Sequence, residues 1–259
     1  MIGIIYAIVI FIATFLGACA GLGGGVIIKP VLDFIGAHDL ATISFLSASA
    51  VFTMSVYSTF KQIRNKVKFD FIMILLISVG AIVGGNVGST LFNSMLSIMD
   101  EGLLKAIQAI LLAGLLIIVL VNMNGNFKTY HIKNKLVMLI IGLVLGTLSS
   151  FLGIGGGPIN VAVFVFFFSI EMKTATVYSI ATILFSQASK LFTIATTSGF
   201  AIFDLSLLFY TLPAAVLGGI VGTFVNKKSD EKIIRNIFNV TVALLVVLNI
   251  YNAVTVLIC

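Results

Sequence analysis

Eight stretches of this chain, at roughly 3–20, 40–60, 71–92, 106–122, 136–152, 174–189, 205–225 and 236–258, contain no Asp, Glu, Lys or Arg and are each long enough to cross a bilayer as a helix. No water-soluble domain carries so many. In lipid every backbone N–H and C=O must be satisfied within the protein, which leaves helices or a closed β-barrel. The alternation of apolar and polar residues that a barrel strand needs is absent from these stretches, so the sequence specifies an all-α polytopic membrane bundle. Composition agrees, with 60% apolar residues, 9% charged residues and a mean hydropathy of +1.22.

The bundle is a duplication. Gly21-Leu-Gly-Gly-Gly25 recurs as Gly153-Ile-Gly-Gly-Gly157, a shift of 132 positions. Ala41-Thr42 recurs as Ala175-Thr176, Phe69-Asp70 as Phe203-Asp204, and Gly84-Gly85-x-x-Gly88 as Gly218-Gly219-x-x-Gly222, each at a shift of 134. Asp100-Glu101 with Lys105 then matches Asp230-Glu231 with Arg235. The expected units are a first transmembrane repeat at 1–125, a linker at 126–132 and a second repeat at 133–259.

Basic residues orient these repeats, because Lys and Arg stay on the cytoplasmic side of short loops. Lys61, Arg64, Lys66 and Lys68 fall in a loop whose repeat partner, 198–202, is uncharged. The bias then reverses: loop 93–102 lacks Lys and Arg, while its partner carries Lys227, Lys228, Lys232 and Arg235. Lys128, Lys133 and Lys135 mark the linker, and the C-terminal tail has no basic residue. Two copies inserted in opposite directions produce this pattern, with both termini extracytoplasmic. Opposed copies need an odd number of crossings each, yet each contains four long apolar segments. The short apolar segments 26–35 and 158–170 therefore either cross as fifth helices or return as arms of re-entrant hairpins.

The same loop distribution accounts for the net charge of +6 without nucleic acid as a partner. Cys19 and Cys259 form no ligand cluster, and His38 and His131 stand apart, so neither a metal nor a cofactor is expected. The run ending Leu16-Gly17-Ala18-Cys19 has the outline of a lipoprotein signal but lacks a basic residue before it, and we read it as an internal helix.

Chemistry is expected at the breaks. Backbone that leaves helical geometry inside a membrane is tolerated only where it is buried in protein or lines a wet cavity. Glycine permits that geometry and close approach of a ligand. Each break is followed by a new helix whose N-terminal N–H groups and dipole favour an anion. The candidate substrate-binding residues are accordingly Gly23, Gly24, Gly25 and Val26 at the first break, and Gly155, Gly156, Gly157, Pro158 and Asn160 at the second. The bland reading is close helix packing, which we assign instead to Gly84-x-x-x-Gly88 and Gly218-x-x-x-Gly222 in uninterrupted helices.

The following helices carry hydroxyl stripes, Ser44, Ser47, Ser55 and Ser58 in one copy and Thr182, Ser186, Ser189 and Thr193 in the other. Such groups either line a pathway or bond to the preceding turn. Ser186, Gln187 and above all Lys190, an intramembrane cation, complete the candidate site, the alternative for Lys190 being to snorkel to the interface. Lys29 and Asp33 read as a structural i,i+4 pair near the outer surface, and Asp70 and Asp204 as helix caps.

The doubled glycine breaks, each followed by an Ala-Thr helix start, resemble the TauE/SafE sulfite exporter family, and the resemblance spans the whole chain. It implies a secondary transporter in the cell membrane for small organosulfur oxyanions such as sulfite or sulfonates, with Lys190 at a position where the family often has lysine. Val26 stands where the second copy has Pro158, and the proline of the first copy is displaced to Pro30, so the two halves of the site need not be equal. An anion channel or a non-transport assembly subunit are the other readings. No nucleophilic or charged cluster suited to an enzyme lies within the helices.

Overall fold

A computed structural model describes residues 2–65, 70–125, 128–197 and 199–258. Lys66, Lys68, Phe69 and Cys259, residues 126–127 of the linker and residue 198 lie outside the described residues. The helices are α1 (Ile2–Ala20), α2 (Gly25–Ile35), α3 (Leu40–Arg64), α4 (Phe71–Ile98), α5 (Glu101–Asn124), α6 (Lys135–Leu152), α7 (Gly157–Phe168), α8 (Met172–Thr197), α9 (Leu208–Lys228) and α10 (Glu231–Ile258). A short 3-10 turn at Leu205–Leu207 precedes α9. Eight of these helices are long and apolar enough to cross a membrane. There is no strand among the described residues. The chain is a polytopic helical membrane bundle.

Polar caps fix where the helices begin. Asp70 accepts a hydrogen bond from the Met73 N–H and Asp204 one from the Ser206 N–H, so both expected caps are formed. Hydrogen bonding from Ser206 also holds the Asp204 carboxyl below its usual pKa. Asp39 caps α3 in the same way through the Ala41 and Thr42 N–H groups. Glycine in the left-handed region ends other helices, as Gly153 does for α6 at φ 69°.

The short helices return; they do not cross. After the first break Gly24 lies against Ala13 and Thr14 of α1, and beyond α2 the His38 Nδ1 meets the Tyr6 hydroxyl at 2.8 Å, back beside the start of α1. At 11 residues α2 spans only ~16 Å. The second copy repeats this: the end of α7 meets the linker that precedes α6, with Tyr130 N–H donating to Phe166 O at 2.8 Å and Ser169 Oγ to Thr129 Oγ1 at 2.7 Å. Both hairpins are re-entrant. They enter from opposite faces, because the face that receives α7 also gathers the basic loops: Lys227 bonds Asn65 Oδ1, Arg235 bonds Met123 O, and Lys173 bonds Lys227 O and Ser229 O.

The long arm of each hairpin is lodged against a helix of the other copy. α1 runs along α9 and α6 along α4, the two most extensive helix pairings. Glycines permit this. A methyl group on Gly84 or Gly88 would collide with the Leu143 or Thr147 carbonyl of α6, and one on Gly218 or Gly222 with the Phe11 or Phe15 carbonyl of α1. Both GxxxG segments therefore act in packing, as their sequence setting implied. The sequence repeats interdigitate: α9 also packs on α3, and α4 on α8, while α5 packs on α10.

Candidate functional site

The two glycine breaks touch. A methyl group on Gly25 would stand 2.5 Å from Ile154 O, and one on Gly157 would overlap Leu22 O. These contacts exchange when 132 is added to or subtracted from each residue number. So do the pairs Gly23 with Ile183 and Gly155 with Val51, and the pairs Gly21 with Thr176 and Gly153 with Ser44. The offset puts Ser44, not Thr42, opposite Thr176, which corrects by two residues the register read from the Ala-Thr pairs. The tips thus cross about a local two-fold between α3 and α8. Six glycines of the breaks, Gly21, Gly23, Gly24, Gly153, Gly155 and Gly156, have φ between 69° and 80°, a conformation that side-chain-bearing residues rarely adopt.

The backbone is near-symmetric, but the polar side chains are not. Around the first break lie Val26, fully buried, and Ser179, whose hydroxyl reaches Gly21 O at 2.7 Å. Asn226 Nδ2 bonds Cys19 O and Thr176 Oγ1, tying off the end of α1. The second break is richer. Gln187 packs on Gly155, its Nε2 being 3.2 Å from where a methyl group would sit. Asn160 Oδ1 and Ser149 Oγ crowd the equivalent point on Gly156 at 3.1 and 3.2 Å, and both atoms are buried without a hydrogen-bond partner. Pro158 occupies the first turn of α7, where its missing N–H is no loss.

Lys190 points inward. It is 9% exposed and its ammonium donates to Ser44 Oγ at 2.7 Å, so it does not snorkel to the interface. Ser186 is buried, with its hydroxyl on Ile183 O at 3.0 Å, and Ser55, Thr182 and Thr193 of the stripes similarly bond a carbonyl of the preceding turn. Lys190 and Ser44 line a cavity of about 110 Å³ with Ser89, Asn93, Ser150 and Thr193.

Lys29 is the residue that local sequence reading placed wrongly. Its pair with Asp33 forms, at 3.2 Å, but the lysine is buried: Lys29 is 5% exposed while Asp33 is half-buried, and the lysine stem packs at 3.0 Å on the methyl position of Gly153. Its ammonium also donates to Gln108 Oε1 at 2.9 Å, and the Gln108 amide NH2 donates in turn to Phe151 O. The cause is the hairpin: α2 folds back, so residue 29 meets the other break. Gln108, a polar residue early in the uncharged run 106–122, was the available sequence signal. Lys29 therefore packs on Gly153 directly, and Lys190 approaches it through Ser44, whose Oγ is 3.3 Å from the same methyl position; Asp33 is bonded to Lys29. Among the described residues no cluster of His, Cys, Asp and Glu could hold a metal ion.

A helical membrane protein with two opposed, touching re-entrant hairpins and buried lysines at one of them has the architecture of a solute-translocating protein. The family model for the sulfite exporter TauE/SafE matches residues 6–249, and the chain belongs to that family of membrane exporters. No curated protein and no solved structure matches it.

Proposed function

We propose that this protein is a secondary transporter that exports a small organosulfur or related oxyanion, such as sulfite or a sulfonate, by alternating access around the crossed glycine breaks. The observation that carries the reading is the burial of Lys29 against Gly153 and of Lys190 on the neighbouring Ser44, with Asp33 paired to Lys29, which leaves a net positive charge for an anion to neutralise. A lysine at the centre of a membrane helix costs ~2.5–3.5 kcal/mol, so two at one place favour a functional reading. N–H groups at Gly155–Gly157 and, across the tips, at Gly23–Val26 bind the anion, Lys190 supplies charge, and Gln187, Asn160 and Ser186 supply hydrogen bonds.

The copies 1–125 and 133–259 are inverted repeats, with the basic face cytoplasmic and both termini outside. Export then runs downhill, since an anion leaving a negative interior gains ~2.3 kcal/mol per charge per 100 mV. A thermal-shift panel of the purified protein with sulfite, sulfonates, thiosulfate and carboxylates tests this reading. It predicts stabilisation by at least one sulfur oxyanion. Silence across the panel contradicts it.

A further inference from the structure

Between α2, α5 and α10 lies a cavity of about 200 Å³ whose wall includes Lys29, Asp33, Lys105, Gln108, Asn249 and Asn252. We propose that Asp33 is a resident counter-ion which the transported anion displaces, so that Lys29 alternates between a carboxylate of its own chain and the substrate. The proposal rests on the oxyanion reading above and adds to it a second substrate-binding cation and a built-in competitor.

Four observations carry it. The Lys29 ammonium is held at the second break, because its stem packs on Gly153. Its grip by Asp33 is incomplete: Oδ2 takes the ammonium at 3.2 Å, while Oδ1 is buried with no hydrogen-bond partner. A buried carboxylate in a purely structural pair gains stability only when its other oxygen is satisfied too, so half of this one is left at a cost that exchange relieves. Gln108 supplies a neutral holder that stays behind, with Oε1 on Lys29 and its NH2 on Phe151 O. The cavity wall also holds Lys105, paired with Glu101 at 3.0 Å, which offers the released carboxylate a second cation.

Occupation of Lys29 by Asp33 lowers the apparent affinity for the anion by the fraction of time the ammonium is free. Removing the competitor therefore raises affinity. Sulfite binding to the purified full chain, measured by titration and thermal shift, tests this with Asp33→Asn, Lys29→Met and the double variant. Asp33→Asn is expected to melt lower than the wild type in anion-free buffer and to bind sulfite roughly tenfold more tightly. Lys29→Met is expected to bind more weakly, and the double variant to regain anion-free stability while binding no better than Lys29→Met.

Wild-type-like or weaker sulfite binding by folded Asp33→Asn, beside measurable binding by the wild type, overturns the exchange. No binding by any of the proteins overturns the oxyanion reading and the exchange with it. Gln108→Glu gives an independent check should Asp33→Asn not fold, since a second carboxylate on Lys29 must weaken sulfite binding. Unchanged affinity in Gln108→Glu overturns the exchange.

Discussion

At the scale of single residues the second break is where polar chemistry concentrates. Its first-copy equivalents are less polar: Gly17 stands at the position of Ser149, Ile28 at that of Asn160 and the uncharged Ser58 at that of Lys190, by the 132-residue offset. The backbone contacts at the breaks follow the 132-residue offset while these side chains do not. Lys190→Met keeps the shape of the stem and removes the charge, and a loss of sulfite binding or flux of roughly 10-fold or more is expected, the scale of a lost charge-assisted hydrogen bond. Retention of full binding by the folded variant removes Lys190 from the site. Lys190 was legible in the sequence because an isolated charge in an apolar helix is costly wherever that helix packs. Lys29 was not, because its meaning depends on a reversal of chain direction that brings it to Gly153. Locally it forms the i,i+4 pair with Asp33 that its spacing suggests.

Among elements, the two hairpins decide the architecture, and their tips are packed backbone to backbone. Gly157→Ala places a methyl group on the Leu22 carbonyl, so it is expected to destabilise by about 1–3 kcal/mol through overpacking, although the backbone at Gly157 is not in the left-handed region. Gly114→Ala, in α5 with no atom within 4 Å of the new methyl, serves as the control and is expected to be neutral or to gain up to ~1 kcal/mol of helix propensity. Melting of both variants in the same detergent checks the contrast. The breaks themselves were plain in the sequence, as runs of glycine between apolar segments. Whether the following arms crossed or returned was not, since either choice satisfies loop-charge parity, and the answer came from the Tyr6–His38 and Tyr130–Phe166 contacts.

For the whole molecule, the packing sets which helices are neighbours across the two copies. Loop charges reveal how many times the chain crosses but not which helices become neighbours, so rocking of repeat 1–125 against 133–259 was the natural expectation. An alternative pair of units follows the interdigitation, α1, α2, α3 and α9 against α6, α7, α8 and α4, which meet through α3 on α8, with α5 packed on α10. Cross-links separate the two schemes. Cysteines at Ser58 and Thr223, whose native hydroxyls hydrogen-bond at 2.9 Å between α3 and α9, join one such unit and are expected to leave flux intact when cross-linked. Cysteines at Thr176 and Asn226, whose native side chains hydrogen-bond at 3.0 Å between α8 and α9, bridge the two and are expected, once cross-linked by a short bifunctional thiol reagent, to arrest flux. Sidedness has its own test: in a background free of other cysteines, Ser97→Cys should react with an impermeant reagent in intact cells and Ser229→Cys only after permeabilisation. The most direct measurement of the central claim is counterflow of labelled sulfite in proteoliposomes of wild type and Lys190→Met. The account predicts saturable counterflow in the wild type that falls at least roughly tenfold in the variant. Unsaturable, ohmic conduction, or equal counterflow in both proteins, would contradict it.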